Sequence, residues 1–84
     1  MSTKLHVGNI PATMLEQDLR TMFGRFGNVE GVEIALDALT GRSKGYAIVA
    51  MAQASEAEGA VRGLNFSQCA GRTIGVSISR KSRS

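Results

Sequence analysis

The chain carries one histidine, His6, one cysteine, Cys69, and one tyrosine, Tyr46. Nucleophilic catalysis needs a nucleophile, a base and an oxyanion site brought together, and a lone thiol far in sequence from a lone imidazole offers no such set. A single cysteine builds neither a disulfide framework nor a zinc site, so no metal and no other cofactor is expected and Cys69 reads as a small, half-buried loop residue. An enzyme is not expected. What the pattern does offer is stacking. Lys44 to Met51 reads KGYAIVAM, and strand alternation sends Tyr46, Ile48 and Ala50 to one face and Ala47, Val49 and Met51 to the other. The second face reads as core. The first leaves a large aromatic ring outside, between a lysine and a β-branched residue, which suits a surface against which something lies.

To hold that ring on an exposed face the chain must build a sheet around it. Lys4 to Asn9 alternates Leu5 and Val7 inward with Lys4, His6 and Gly8 outward, and is a first strand. Thr13 with Glu16 has capping-box spacing, and Leu15, Leu19, Met22, Phe23 and Phe26 follow as one apolar helical stripe ending at Gly27 and Asn28. Val29 to Asp37 alternates again, with Val32, Ile34 and Leu36 inward and Glu33 and Ala35 outward, giving a second strand. The turn-rich DALTGRS joins it to the KGYAIVAM strand as a hairpin. Ser55 with Glu58 offers a second capping box, and Ala57, Ala60, Val61 and Leu64 repeat at helical spacing. Asn65 to Gly71 reads as a loop with Phe66 anchored in the core, before Thr73 to Ser79 alternates Ile74, Val76 and Ile78 inward in a fourth strand.

This order predicts an α+β domain of the ferredoxin-like split βαβ (βαββαβ) type, a four-stranded antiparallel sheet with two helices on one face. Right-handed crossovers put both helices on the same side and give the sheet order fourth, first, third, second. His6 and Tyr46 then meet on the uncovered face.

Length and charge set the outer bounds. With 84 residues the chain fits one domain, able to bury only somewhat more than roughly 60% of its unfolded surface. There is no apolar run long enough to span a bilayer, and MSTKLHVGN lacks the apolar stretch of a secretory signal, so an intracellular, cytoplasmic protein with no membrane association is expected. The net charge of +3 comes from the end of the chain: residues 1–79 hold seven basic and seven acidic side chains, and Arg80, Lys81 and Arg83 supply the excess. The division is thus a domain over 1–79 and a short basic tail over 80–84.

Two segments resemble the paired motifs of the RNA recognition motif family. Lys44, Gly45, Tyr46, Ala47 and Val49 match the longer motif, while Ile48 and Met51 depart from it. Leu5, His6, Val7, Gly8, Asn9 and Ile10 answer the shorter one, with histidine in the aromatic's place. The likeness covers residues 4–79 and, through Gly71, Arg72 and Thr73, is similar to small single-domain RNA-binding proteins of bacteria. It implies that single-stranded RNA stacks on His6, Tyr46 and the position of Ile48, with Asn9 in the motif and Arg42 and Lys44 as phosphate contacts, while the charge count adds Arg80 and Lys81 of the tail as expected RNA contacts. Ile48 weakens that surface. Single-stranded DNA is a further expected ligand, since stacking is tolerant of the sugar. The alternative is a protein-binding or self-associating module, a homodimer included, built on the apolar patch of Ile48, Ala50 and Ala35.

The charge count yields a test. Ending the chain at Ser79 removes three cations, and should weaken binding to all oligonucleotides alike while lowering the log–log salt slope by about 2 at most. An unchanged slope would leave Arg42 and Lys44 as the electrostatic contacts.

Overall fold

The computed structural model describes residues 2–79. Its elements follow in the order β1 (Thr3–Gly8), α1 (Glu16–Gly24), β2 (Val29–Leu36), β3 (Ser43–Met51), α2 (Ala54–Leu64), β4 (Gln68–Cys69), β5 (Arg72–Thr73) and β6 (Gly75–Ile78). The main sheet runs β2-β3-β1-β6 with every pairing antiparallel, which is the expected order with β6 as the fourth strand. The short hairpin of β4 and β5 takes in part of the expected loop, half-buried Cys69 included, and also Thr73, expected as the start of the fourth strand, which begins only at Gly75. Arg80, Lys81 and Arg83 lie outside the described residues.

One face of the sheet makes the core. Leu5 and Val7 from β1, Ala47, Val49 and Met51 from β3 and Val76 from β6 are buried, and they pack in one cluster with Leu19 and Phe23 of α1 and Ala57 and Ala60 of α2. Both helices therefore cover the same side. No polar or charged side chain is buried among the described residues, so the interior rests on apolar contact alone.

Several details depart from the sequence expectation. The capping box at Thr13 does not form: Met14 N–H donates to the Pro11 carbonyl at 3.0 Å in a tight turn, and the helix starts only after Leu15. There the Asp18 carboxylate accepts the Leu15 N–H at 2.9 Å. Leu15 itself sits outside the first turn, off the apolar stripe, and is 63% exposed. The second helix begins two residues early for the same reason, because Glu56 accepts the Gln53 N–H at 3.2 Å in place of the Ser55 and Glu58 pair. In both cases the carboxylate half of the box does the capping.

The β2–β3 ladder is irregular. Between the pairs Ile34 with Ala47 and Leu36 with Ser43, β2 advances two residues while β3 advances four; Leu36 keeps the side of Val32 and Ile34, lining one depression with them, but at the end of β2 it is 56% exposed rather than buried. The slack is taken up at Gly45, whose φ of +91° lies in the region that side chains avoid. Its N–H donates to the Ser43 hydroxyl at 3.0 Å and its carbonyl accepts from Ile10 N–H at 3.0 Å. At the hairpin tip the Asp37 carboxylate accepts the N–H groups of Leu39 and Thr40, at 2.8 and 3.1 Å, and these bonds hold it below the usual carboxylate range.

Phe26 closes the core from α1's end by lying on α2 across Gly59 and Gly63. A Cβ at Gly63 would overlap the Phe26 ring, whereas one at Gly59 would meet it at 3.9 Å, ordinary contact distance. The two glycines are thus unequal. Gly59→Ala should stabilise the fold by up to about 1 kcal/mol through helix propensity. Gly63→Ala should instead lose up to about 2 kcal/mol, because overpacking at about 1–3 kcal/mol offsets or exceeds the same propensity gain. Denaturant midpoints of the two variants check the sign of each effect.

Candidate nucleic-acid interface

Among the described residues no helix or loop covers the face opposite the helices, and its side chains fall into rows set by the strand register. One row is Glu33, Ile48, His6 and Ser77; the next is Tyr46, Gly8 and Gly75; a third is Gly31, Ala50 and Lys4. His6 is directly opposite Ile48, so its contact with Tyr46 is diagonal. Their ring centroids are 5.3 Å apart with planes inclined by 19°, an offset stack. Gly8 makes this possible: a Cβ there would come within 3.3 Å of the His6 ring. Tyr46 keeps 37% of its surface exposed. The two rings therefore form one continuous ledge, and a planar ligand must use an outer ring face rather than slide between them.

Beside the ledge, Ile48 floors a shallow depression flanked by Lys4 and Glu33. The flat face of a base can rest on Ile48 there, but the protein offers it no aromatic ring. The carboxylate of Glu33 faces the same depression and opposes a phosphate, while the Lys4 amine favours one. Lys4 was legible as outward from alternation alone.

The other expected residues separate. Lys44 is exposed at the start of β3, next to the Gly45 irregularity. Arg42 lies in the hairpin, where its carbonyl accepts the Asp37 N–H at 2.7 Å, and it lines a depression with Met14, Leu15 and Leu36 at the β2 edge. That depression lies apart from the His6 and Tyr46 ledge. Asn9 has a left-handed backbone, φ +59°, a conformation asparagine tolerates. Its amide donates to the Thr73 carbonyl at 2.8 Å and its oxygen accepts from Arg72 Nη1 at 3.5 Å. The carboxamide thus ties the end of β1 to β5 and positions Arg72. Among the described residues there is no cluster of His, Cys, Asp and Glu suited to a metal, and no helix long and apolar enough to cross a membrane.

Phe66 was missed as a surface residue. Expected as a core anchor, it is 76% exposed, because its backbone takes φ +70° and turns the ring away from the core. Its backbone partner Ile74, expected inward, is buried. Residue type carries no signal for it: a left-handed helix end is marked by Gly or Asn, and here Asn65 is extended, φ −62°, while Phe66 takes the left-handed place.

Comparison with known proteins agrees with this geometry. The family model for the RNA recognition motif matches residues 5–75. The 33 kDa ribonucleoprotein, chloroplastic, of Nicotiana sylvestris is 41% identical over 75 residues, 89% of this chain and 23% of that protein. The chain thus spans about a quarter of the length of the curated relatives it matches. A crystal structure of the RNA binding protein PG1 superposes with a TM-score of 0.91 at 28% identity, covering 99% of this chain and 100% of the other. A Sxl-lethal protein/RNA complex superposes at 0.86 and 34% identity, covering 92% of this chain and 47% of its own. The expectation of a cytoplasmic protein is overturned by the relatives, whose names place them in the chloroplast; the absence of an apolar leader carried no information about an organelle. Split βαβ topology, both motif strands at the sheet centre and a match over residues 5–75 lead to one assignment: the chain belongs to the RNA recognition motif family.

Proposed function

We propose that this domain binds single-stranded RNA on the face of β1 and β3, stacking bases on Tyr46 and His6, and catalyses no reaction. The observation that carries the reading is the stacked ring pair on a sheet face that no other described residue covers. Relatives named as ribonucleoproteins and a structural neighbour solved with RNA support it. A base laid on the outer face of Tyr46 gains about 1–3 kcal/mol, and the ledge continues that surface to His6. Ile48 adds apolar contact without a π-face, so the third stacking position is weak. Lys4 and Lys44 flank the ledge, and Arg42, Arg80 and Lys81 are further phosphate contacts. Stacking of this kind also admits single-stranded DNA, because the ring reads the base and not the sugar.

A second reading is favoured by the β2 edge, where exposed Leu15 and Leu36 line one depression of about 630 Å³. Such a patch suits a protein partner or a second copy of the chain.

Tyr46→Ala should weaken single-stranded RNA binding by about 1–3 kcal/mol while stability falls well short of the roughly 3–5 kcal/mol of an aromatic core truncation. A loss of stability on the core scale would mean that Tyr46 serves the fold and not the ligand. Ile48→Phe should add a stacking ring and tighten binding by about 1–2 kcal/mol, with little change in folding because both residues suit strands. RNA affinity of Ile48→Phe and sedimentation of Leu36→Ser decide between the readings: no gain in affinity from the first together with altered self-association in the second favours the protein-binding one.

A further inference from the structure

We infer that Phe66 is an additional stacking surface, carrying a base of single-stranded RNA across the β6 edge, with Arg72 as the cation for its phosphate. The inference rests on the reading that the His6 and Tyr46 ledge binds RNA, and it extends that ledge to the opposite side of the sheet from Ile48.

Phe66 is doubly unfavourable in the free domain. Its large apolar ring faces water, and its φ of +70° is a conformation that glycine adopts far more readily. Yet the segment around it is held firmly. Phe66 N–H donates to the Ile74 carbonyl at 2.9 Å, Ser67 N–H to the Leu64 carbonyl at 3.0 Å, and the Asn65 side-chain oxygen accepts the Val76 N–H at 2.9 Å. The ring is therefore presented from a fixed backbone.

What it faces fits a nucleotide. Phe66 and His6 line one concavity of about 500 Å³, and between them lie Gly8 and Gly75, cross-strand partners that leave the strip free of side chains. No acidic residue lines it. Its other apolar members, Ile74 and Val76, are already buried in the core, so the concavity offers a partner protein little side-chain surface to grip. A flat base needs only the ring and the bare strip. At the rim, Asn9 accepts a bond from Arg72 while donating to Thr73, which borders the concavity, and so steadies a guanidinium near the place where the base's phosphate would pass.

The glycine preference of this backbone gives a clean variant. Phe66→Gly removes the ring and relieves the left-handed strain, so the domain should fold with equal or greater stability. Affinities of wild type, Phe66→Gly, Phe66→Tyr and Tyr46→Ala are measured by fluorescence anisotropy on mixed-sequence oligoribonucleotides of increasing length, from three to seven nucleotides. Phe66→Gly should weaken the longest by roughly five- to a hundredfold and the shortest far less, with Phe66→Tyr close to wild type. If Tyr46→Ala weakens binding but Phe66→Gly does not, or does so equally at every length, the inference about Phe66 is wrong and the ledge stands. If wild type binds no oligonucleotide, the RNA-binding reading itself fails, and this inference with it. A change in sedimentation on Phe66→Gly without a change in RNA affinity would assign the ring to a protein contact and overturn the proposal.

Discussion

The antiparallel pairing of β1 with β3 is the constraint from which the remaining structure follows. Six residue pairs, from Thr3 with Met51 to Gly8 with Tyr46, fix the centre of the sheet. Because side chains alternate with period two, a slip of one residue would carry Leu5, Val7, Ala47 and Val49 to the water side and bring His6 and Tyr46 into the core. Burial of the apolar set against α1 and α2 makes that slip prohibitive. The ledge of rings is thus held on the outside by what the inside needs, and no contact of its own has to specify its position.

Most of this was legible from alternation. In β1, β3 and β6 one face meets the core and the other meets water, so residue type tracks orientation closely, and the sheet order followed from connection rules. The helix starts were less legible. Asp18 and Glu56 cap backbone N–H groups, and any residue supplies one, so Leu15 and Gln53 gave no sign of standing at N-caps. Leu36 keeps the side that alternation gives it, but it stands at the end of β2, and alternation predicts a side and not whether anything covers it. Phe66 was misjudged for a different reason. Hydrophobicity argues for burial, whereas the backbone at a helix end decides direction, and here the backbone prevails.

The site was readable as a set of positions more than as a set of roles. His6, Tyr46 and Ile48 come together as the motif spacing requires. Asn9 belongs to the same motif but has its carboxamide committed to Thr73 and Arg72, so it shapes the rim instead of standing free on it. Arg42 is displaced toward the β2 edge by the hairpin that Asp37 organises. Hydrogen bonds over long sequence separation, such as that from Asn9 to Thr73, leave no periodic trace, which is why roles of this kind emerge only with the fold.

The two outer strands of the sheet carry a consequence of another sort. A sheet edge presents unpaired N–H and C=O groups to any neighbouring chain, and a regular edge is a template for aggregation. Here the β6 edge is partly closed by Asn65, whose side chain occupies the Val76 N–H. The β2 edge carries two breaks in register and exposes Glu30 and Glu33. Neither edge offers a flat, apolar strand to a second molecule. Copies of this domain crowded along one nucleic-acid strand could therefore lie side by side without fusing their sheets, and their spacing would be set by the strand they share.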